Sequence, residues 1–308
     1  MDVGGTSVKL GLVRGTRVLT QDSFPTAPYA RGPRLLEDAL VRAVRLLASG
    51  GKVAGVGVGI PGLVEYPAGV VDSCVNLRGW KRIPLRANLQ RRLGLPVSVD
   101  NDVNAMTLAE WKHGAGRGAR NLLCMTLGTG VGGGLVLNGA LYRSRKGPSG
   151  EIGHLPLSEG GPPCFCGGRG CLERYVGNRE VVREVKKRIA AGERSRIPAL
   201  LGGRMDRLTP EVIDRACELG DRLARETWSR AGERIGLILA GAVNLLNPDR
   251  IVIGGGLAAA GRWLFDPIRE TVRRRAMRGI GRVPVLPAKL GSSAGLIGAA
   301  LLVEEGGG

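Results

Sequence analysis

Apolar positions along the chain follow two periods, one typical of short strands and one typical of helices. Residues 33–49 carry an apolar stripe at helical spacing, formed by Leu36, Leu40, Val44 and Leu47. The predicted strands are 8–13, 18–24, 53–60, 97–99, 122–126, 134–137, 251–253 and 283–286. The further predicted helices are 86–93, 103–113, 176–191, 211–246, 262–277 and 294–303. This alternation of strands and helices predicts an α/β fold.

Three glycine-rich turns lie beside predicted strands. They are Gly4-Gly5-Thr6, the sequence LGTGVGGG at 127–134, and the glycines at 254–256 that join a strand to a helix. Paired glycines let backbone N–H groups approach an anion, and a helix that begins after such a turn favours a phosphate. An ordinary hairpin turn is the alternative for residues 4–6.

The spacing G-x-G-x-x-G occurs at 128–133 and at 57–62. A dinucleotide site of the Rossmann type needs a helix directly after the glycines. A predicted strand follows the first match, and Pro61 lies inside the second. We therefore exclude a Rossmann site at both places and predict a phosphate-binding β-turn at 127–134.

The composition is that of a globular protein. The 308 residues are 43% hydrophobic with a mean hydropathy of +0.02, enough for one large or two ordinary domains. Apolar runs stay short of the ~18 residues that a membrane helix needs. The residues after Met1 have neither the basic region nor the apolar region of a secretory signal, so we expect a cytoplasmic protein.

The net charge of +18 raises nucleic acid as a partner. However, the basic residues are spread along the chain, and the densest patch lies on a predicted helix and its end, at Arg273, Arg274, Arg275, Arg278 and Arg282. Few aromatic residues accompany that patch, so we interpret it as a solvated surface. The same positive field would attract an anionic co-substrate such as ATP or polyphosphate.

Four potential metal ligands cluster in a loop rich in glycine and proline at 144–172: His154, Cys164, Cys166 and Cys171. One imidazole and three thiolates are a recognised structural zinc set, and four protein ligands leave no open position for water. The other cysteines, Cys74, Cys124 and Cys217, are scattered and are predicted to be small core residues. The sequence therefore predicts a structural Zn²⁺ ion.

Carboxylates accompany this loop and one strand end, and the stretches that contain them belong to a set that spans the chain. The set is D-V-G-G-T at 2–6, N-D-V-N at 101–104, L-G-T-G-V-G-G-G at 127–134, G-E-I-G-H at 150–154, C-F-C-G-G-R-G-C-L-E at 164–173 and I-V-I-G-G-G at 251–256. In these stretches and their order the chain resembles the ROK family of bacterial sugar kinases and related repressors. The resemblance implies the actin-like ATPase (ribonuclease H-like) fold, with two lobes around a cleft. It also implies ATP-dependent phosphorylation of a hexose, with Mg²⁺ accompanying the ATP.

The resemblance assigns a role to each matching position. Asp102 would be the general base toward the sugar hydroxyl that receives the phosphoryl group, since an ordinary aspartate is ionised at pH 7. The other hydroxyls would be bound by Asn101, Glu151, His154 and Glu173, with His154 also a zinc ligand. The ATP side would consist of Asp2 near Mg²⁺, Lys9, the phosphate contacts Gly4, Gly5, Thr6, Thr129 and Gly130, and the adenosine contacts Gly254, Gly255 and Gly256.

Several alternatives stay open. Glucose is the favoured sugar because the E-I-G-H glucokinases of the family resemble this chain most, but N-acetylmannosamine, fructose and allose kinases share the scaffold. Polyphosphate is an alternative phosphoryl donor. A sugar-sensing transcriptional repressor is the main alternative function, although such repressors typically lose the Gly-Gly-Thr turn that this chain retains. A homodimer or homotetramer is expected from the resemblance.

Two expectations concern the organisation of the chain. The small lobe would comprise residues 1–118 and 292–308, and the large lobe 119–291 with the zinc loop and the adenosine site. The family's first strand normally precedes the Asp-Gly-Gly-Thr turn, yet only Met1 precedes Asp2. We therefore expect a truncated or misassigned N-terminus and a small lobe whose central strand is missing.

Overall fold

The computed structural model of the chain describes residues 1–29, 32–74, 77, 79–144 and 148–306. Its contacts separate two compact units. The first contains Met1–Gly118, Gly134–Ser149 and Lys289–Gly308, and the second contains Ala119–Gly133 and Gly150–Ala288. Strands and helices occur in both, so the predicted α/β class is confirmed.

The described residues form thirteen strands and ten α-helices. The strands are β1 (Asp2–Val3), β2 (Ser7–Arg14), β3 (Arg17–Pro25), β4 (Val56–Ile60), β5 (Leu63–Glu65), β6 (Val70–Ser73), β7 (Lys81–Ile83), β8 (Val97–Asn101), β9 (Leu122–Leu127), β10 (Val131–Leu137), β11 (Ala140–Leu141), β12 (Arg250–Gly254) and β13 (Val285–Pro287). The α-helices are α1 (Pro33–Ala48), α2 (Leu85–Leu93), α3 (Asp102–His113), α4 (Glu173–Val176), α5 (Asn178–Ala190), α6 (Ile197–Leu200), α7 (Pro210–Glu218), α8 (Arg222–Leu246), α9 (Arg262–Arg275) and α10 (Ala294–Gly306). Short 3₁₀ helices occupy Ala27–Tyr29, Ile152–His154, Met205–Arg207, Gly256–Ala260 and Gly291–Ser293.

The first unit is built on a five-stranded sheet with the order β3-β2-β1-β4-β8. β2 is antiparallel to β1 and β3, as the predicted hairpin requires, whereas β1, β4 and β8 run parallel. The carboxyl ends of these three parallel strands therefore lie at one edge of the sheet. This edge carries the Gly4–Thr6 turn after β1 and the start of α3 after β8.

The central strand β1 has only two residues, and it occupies the position for which the sequence predicted a missing strand. Asp2 is in register with Lys9 of β2 and with Gly59 of β4, and the Met1 carbonyl accepts a hydrogen bond from the Gly59 N–H. Backbone groups of both neighbouring strands are therefore paired along this short stretch.

A small antiparallel sheet, β5-β6-β7, was not predicted. Each of its strands has only three or four residues, and β7 contains the charged pair Lys81-Arg82. Short strands with exposed charges lack the alternating pattern by which strands are predicted from sequence. These strands are recognised only by the backbone pairing of β5 with β6 and of β6 with β7.

The second unit contains most of a five-stranded sheet with the order β11-β10-β9-β12-β13. The division between the units falls inside β10, between Gly133 and Gly134. β9, β12 and β13 are parallel, and the long helix α8 packs against α9 with Trp228 fully buried. The carboxyl ends of β9 and β12 lead into two of the predicted glycine-rich turns.

Two predicted helices are each divided by a glycine. The prediction of one helix over 211–246 was wrong, because Gly220 adopts φ +82° and the Asp221 side chain then caps a new helix by accepting from the Ala224 N–H. Similarly, the predicted helix at 176–191 is preceded by the separate helix α4, and Gly177 with φ −69° and ψ 160° lies between the two.

The helices α3 and α10 cross in close contact at Gly298. A Cβ atom on Gly298 would lie 1.8 Å from the Ala105 carbonyl oxygen, so we expect Gly298→Ala to destabilise the protein by about 1–3 kcal/mol through overpacking. Urea denaturation measures the loss. Gly241→Ala is the matched control: this helical glycine has open space around its Cβ position, and alanine there is expected to stabilise by about 0.4–1 kcal/mol. Equal midpoints for wild type and Gly298→Ala would contradict the close crossing.

Surface features agree with the composition. Among the described residues, no helix combines the length and apolar character that crossing a membrane demands. The arginines at 273, 274, 275, 278 and 282 are all exposed, as predicted for a solvated surface. The cysteines at 74, 124 and 217 are buried core residues, as predicted.

Candidate active site

The predicted metal ligands come together in the second unit. One ligand atom from each of His154, Cys164, Cys166 and Cys171 lies within 4.8 Å of all the others. The cysteine loop is shaped by a tight turn, in which the Cys164 N–H donates to the Gly168 carbonyl and Gly167 adopts φ +92°. Backbone bridges from Pro156 to Cys171 and from Pro163 to Arg169 close the loop on itself.

The distances fit one tetrahedral ion. The Cys166 and Cys171 sulfurs are 3.6 Å apart, and the Cys164 sulfur lies 3.6 Å from His154 Nδ1. Tetrahedral Zn²⁺ with ordinary bond lengths separates two sulfurs by about 3.8 Å and a sulfur from an imidazole nitrogen by about 3.6 Å. The donor set and its spacing therefore suit zinc, with Nδ1 as the histidine ligand atom.

Two glutamates flank the metal ligands. The other ring nitrogen of His154, Nε2, lies 3.8 Å from a Glu151 carboxylate oxygen. Burial raises the pKa of Glu151, with His154 lowering it and the nearby Glu173 carboxylate raising it further. Glu151, His154 and Glu173, three of the four predicted sugar-binding residues, therefore lie near one another in one polar cluster.

Glu173 also connects the metal loop to a glycine-rich turn. Its Oε2 accepts a hydrogen bond of 2.9 Å from the Val131 N–H, and a Cβ on Gly130 would lie 2.4 Å from the same oxygen. Glu173 is two residues beyond Cys171 and begins α4. The position of Cys171, a candidate metal ligand, and the shape of the turn are thus linked through the Glu173 side chain.

The turns at 128–130 and 254–256 lie side by side in the second unit. They follow the parallel strands β9 and β12, in which Gly254 is in register with Thr126. Gly255 has φ +88°, and a Cβ there would lie 2.2 Å from the Leu127 carbonyl oxygen, so only glycine permits this approach. The Asn178 N–H at the start of α5 donates to the Gly128 carbonyl. Crevices at the carboxyl ends of parallel strands are common ligand sites in α/β proteins.

The Gly4–Thr6 turn lies in the first unit and is held by a residue that the sequence analysis did not single out. The Gly4 N–H donates to the Ser7 carbonyl. The buried Thr26 hydroxyl donates to the Gly4 carbonyl at 2.7 Å, while the Thr26 N–H donates to the Thr6 carbonyl at 3.0 Å. A threonine at the end of a hairpin strand has no distinctive sequence signal, so only the structure identifies it.

Asp2 and Lys9 face each other across β1 and β2. Burial raises the pKa of the Asp2 carboxyl, and the Lys9 ammonium partly opposes that rise. The same carboxylate lies against the start of α10, where a Cβ on Gly295 would be 2.4 Å from its Oδ2. A helix N-terminus attracts a negative charge, which favours this placement.

Asn101 and Asp102 lie where β8 ends and α3 begins. Asn101 is the N-cap of α3: its Oδ1 accepts from the N–H groups of Val103 and Asn104, and its Nδ2 donates to the Gly62 carbonyl at 3.1 Å. Asp102 is the first residue of the helix and is partly exposed. Gly59 on the neighbouring strand lies below it, where a Cβ would be 3.3 Å from the Asp102 Cα.

Comparison with solved structures identifies the fold. A ROK family glucokinase from Streptomyces griseus, in complex with glucose and AMPPNP, matches with a TM-score of 0.88 and 35% identity over 99% of this chain and 98% of that chain. A ROK family transcriptional regulator, a homologue of the E. coli MLC protein, matches with a TM-score of 0.90 and 26% identity, covering 99% of this chain and 77% of that chain. The chain therefore has the actin-like ATPase fold.

Sequence comparison leads to the family. The pattern of the ROK family matches residues 1–306, and a glucokinase from Streptomyces coelicolor is 36% identical over 310 residues, covering 99% of this chain and 96% of the relative. The chain belongs to the ROK family.

Proposed function

We propose that this chain is a glucokinase, which transfers the terminal phosphoryl group of ATP to the 6-hydroxyl of glucose. The observation that carries the proposal is the shared sheet edge in the first unit, where the Gly4–Thr6 turn follows β1 and Asp102 follows the parallel strand β8. Phosphoryl transfer requires a phosphate-holding turn and an acceptor-aligning carboxylate. The full-length similarity to proteins named glucokinase supports the same conclusion.

ATP would be held by backbone groups rather than by a set of charged side chains. The N–H groups of Gly4, Gly5, Thr6, Thr129 and Gly130 would contact the phosphates, and the glycines at 254–256 would lie along adenosine. Mg²⁺ bound with ATP neutralises phosphate charge during transfer. Asp2 would face this ion, with Lys9 beside it.

The reaction needs a proton acceptor at the sugar hydroxyl. The Asp102 carboxylate would accept the proton of the 6-hydroxyl as its oxygen forms a bond to phosphorus and the bond from phosphorus to the ADP oxygen breaks. The helix start fixes the main chain at Asp102, since the Asn101 side chain caps α3 on one side and Gly59 underlies it on the other. Positioning of this kind supplies much of the rate in phosphoryl transfer.

The sugar would be held by Asn101, Glu151, His154 and Glu173. The Oδ1 of Asn101 already accepts from two N–H groups, and one of its amide hydrogens is donated to the Gly62 carbonyl, so the second amide hydrogen is the one available to a sugar oxygen. The Glu151 and Glu173 carboxylates would accept hydroxyl hydrogens. His154 would offer Nε2 to the sugar while Nδ1 binds zinc, so the ion would fix the ring orientation.

The main alternative, a sugar-sensing repressor, is weakened by the phosphate turn. Gly4, Gly5 and Thr6 are all present, and two hydrogen bonds from Thr26 hold their backbone in place. A protein that only senses sugar has no need of an ordered phosphate turn. Salt-sensitive, sequence-specific DNA binding without ADP formation would support the repressor instead.

The remaining elements of the proposal concern organisation and location. The lobes of the kinase would be residues 1–118 with 292–308, and 119–291, except that residues 134–149 and 289–291 belong to the first compact unit. The three thiols that would bind zinc suit the reducing cytoplasm.

We further propose that the protein forms a homodimer or homotetramer. Leu237 and Leu245 on α8 are 45% and 82% exposed, and they form apolar surface that a second copy would cover. Light scattering after size-exclusion chromatography gives the assembly directly.

A panel of sugars with two donors tests the proposed reaction. Glucose, fructose, allose and N-acetylmannosamine are each supplied with ATP or with polyphosphate, and phosphorylated product is measured. We expect the highest kcat/KM for glucose with ATP. A higher kcat/KM for another sugar, or for polyphosphate, would replace that substrate in the proposal, and no product in any combination would contradict a sugar kinase.

A further inference from the structure

Asp100 is a buried carboxylate beside the proposed base and has no role in the proposed chemistry. It is 1% exposed and lies at the end of β8, two residues before Asp102. Its Oδ1 accepts hydrogen bonds from the Asn101 N–H at 2.7 Å and from the Asn104 side-chain amide at 3.0 Å. These two bonds connect the last residues of the strand to the first turn of α3.

The hydrogen bond between Asp100 and Asn104 closes a short ring of main chain. The ring contains Asn101, Asp102 and Val103, so Asp102 is at its centre. The position of the Asp102 backbone therefore depends on where the Asp100 carboxylate is held.

Among the residues that the structure describes, the guanidinium of Arg143 balances that carboxylate. Arg143, which follows β11, donates through Nε to the second oxygen of Asp100 at 2.6 Å. Its Nη2 donates to Glu305 near the end of α10 at 2.7 Å, and its Cζ lies 3.9 Å from the centre of the Tyr66 ring. The Arg143 side chain is 15% exposed, so the ion pair with Asp100 is largely shielded from water.

Breaking such a pair has a predictable effect on the surrounding structure. A buried carboxylate that loses its cation is left with uncompensated charge, and it must take up a proton, admit water or move. A displacement of about 1 Å in the reacting groups of an enzyme costs on the order of 10²-fold in rate. Because Asp100 closes the ring around Asp102, its displacement would shift the proposed base.

We infer that Arg143 is a positioning residue for the kinase reaction and acts through Asp100 on Asp102. The inference rests on the proposed function, since it takes Asp102 as the general base. Arg143 itself need not contact sugar or ATP. Its effect is therefore expected on kcat, with ATP binding preserved.

The test compares five variants of the full chain in the glucose- and ATP-dependent assay. Arg143→Met keeps the length of the side chain and removes its charge, and we expect kcat to fall about 10- to 100-fold while KM for ATP changes less than about threefold. Arg143→Lys restores a cation and is expected to recover part of that loss. Glu305→Gln changes the other partner of the same guanidinium, and its kcat is expected to stay within about twofold of wild type, as for an exposed ion pair.

The decisive variant is Asp100→Asn combined with Arg143→Met. Asparagine keeps the oxygen that accepts from Asn101 and Asn104 and removes the buried charge, so we expect kcat to recover to within about fivefold of wild type. If Arg143→Met alone does not fold, the kcat of this double variant still tests whether Arg143 acts by balancing the charge of Asp100. A double variant with less than about a tenth of the wild-type kcat would overturn the inference, as would an Arg143→Met protein with wild-type kcat.

Asp102→Asn separates this inference from the proposed function. If Asp102→Asn is inactive and Arg143→Met turns over normally, only the positioning role is wrong. If Asp102→Asn retains the wild-type kcat, the base assignment fails first, and the inference fails with it.

Discussion

Replacement of Asp102 by asparagine is expected to lower kcat by about 10²- to 10⁴-fold, the range that a positioned general base contributes. Asparagine has nearly the same shape and can occupy the first position of α3, so the fold should persist. An amide oxygen does not take up the hydroxyl proton at neutral pH. Steady-state ADP formation measures kcat, and calorimetry measures glucose binding, which we expect to remain detectable.

Asp22→Asn is the matched control for this variant. Asp22 is an exposed residue of β3, in the same unit, and its Oδ1 accepts from the N–H of the next residue, Ser23. The Asp22→Asn substitution removes the same charge at a position away from the proposed site, so its kcat should equal that of wild type. A kcat close to wild type in Asp102→Asn itself would remove the assignment of Asp102 as the base.

Loss of the metal is expected to weaken glucose binding before it unfolds the protein. Cys166 is the exposed member of the cluster, so Cys166→Ser removes one ligand with little change in packing. We expect the zinc content to fall from about one ion per chain, the number that one Cys₃His site holds. The glucose Kd should rise about 10-fold or more, since loss of interactions that orient metal ligands typically costs 10- to 100-fold.

Metal loss is expected to weaken glucose binding because the candidate zinc ligands and the proposed sugar-binding residues lie on the same short segments of chain. His154 places Nδ1 toward the cysteines and Nε2 toward Glu151, while Cys171 is two residues before Glu173. A change in the cluster therefore moves both carboxylates. Elemental analysis gives the zinc content and calorimetry gives the glucose Kd, with circular dichroism to follow the fold.

Cys217→Ala provides the control for a lost thiol outside the cluster. Cys217 is buried in α7, and burial raises the pKa of its thiol to about 12, so it stays protonated. We expect its zinc content and glucose Kd to match wild type. Metal-free protein that binds glucose with the wild-type Kd would contradict the role of zinc in the sugar site.

Local patterns predicted the regular parts of the fold. The apolar stripe at 33–49 became α1, and the two β-branched runs after residue 7 became the β2–β3 hairpin. These signals are strong because each element buries one face of itself. The break between α7 and α8 at Gly220 had a signal in the sequence, a glycine followed by the capping residue Asp221. Because the helical apolar period occurs on both sides of this glycine, the sequence was interpreted as one continuous helix.

Elements defined by distant partners were not predictable. The two-residue strand β1 is recognised only by its pairing with β2 and β4, and β5, β6 and β7 are recognised by pairing with one another. No local hydrophobic period specifies such pairing. Pairing between residues that are far apart in the sequence is seen only in the three-dimensional structure.

The same distinction holds for the candidate site. The cluster of candidate metal ligands was predictable because their spacing restricts them to one loop, and Glu151 and Glu173 were singled out because they lie beside those candidates in the sequence. Thr26 and Arg143 were not predictable, since each reaches its partner across more than twenty residues of chain. Thr26 follows β3 and Arg143 follows β11, so the contacts of both side chains depend on how those strands are placed in the fold.

Product analysis of the glucose reaction tests the central claim most directly. Zinc-loaded wild-type protein is incubated with ATP, Mg²⁺ and glucose, and phosphorus NMR follows all phosphate species. The account predicts that ADP and glucose 6-phosphate form in equal amounts and that ADP formation without sugar is negligible by comparison. An unchanged ATP spectrum in the presence of saturating glucose would contradict it.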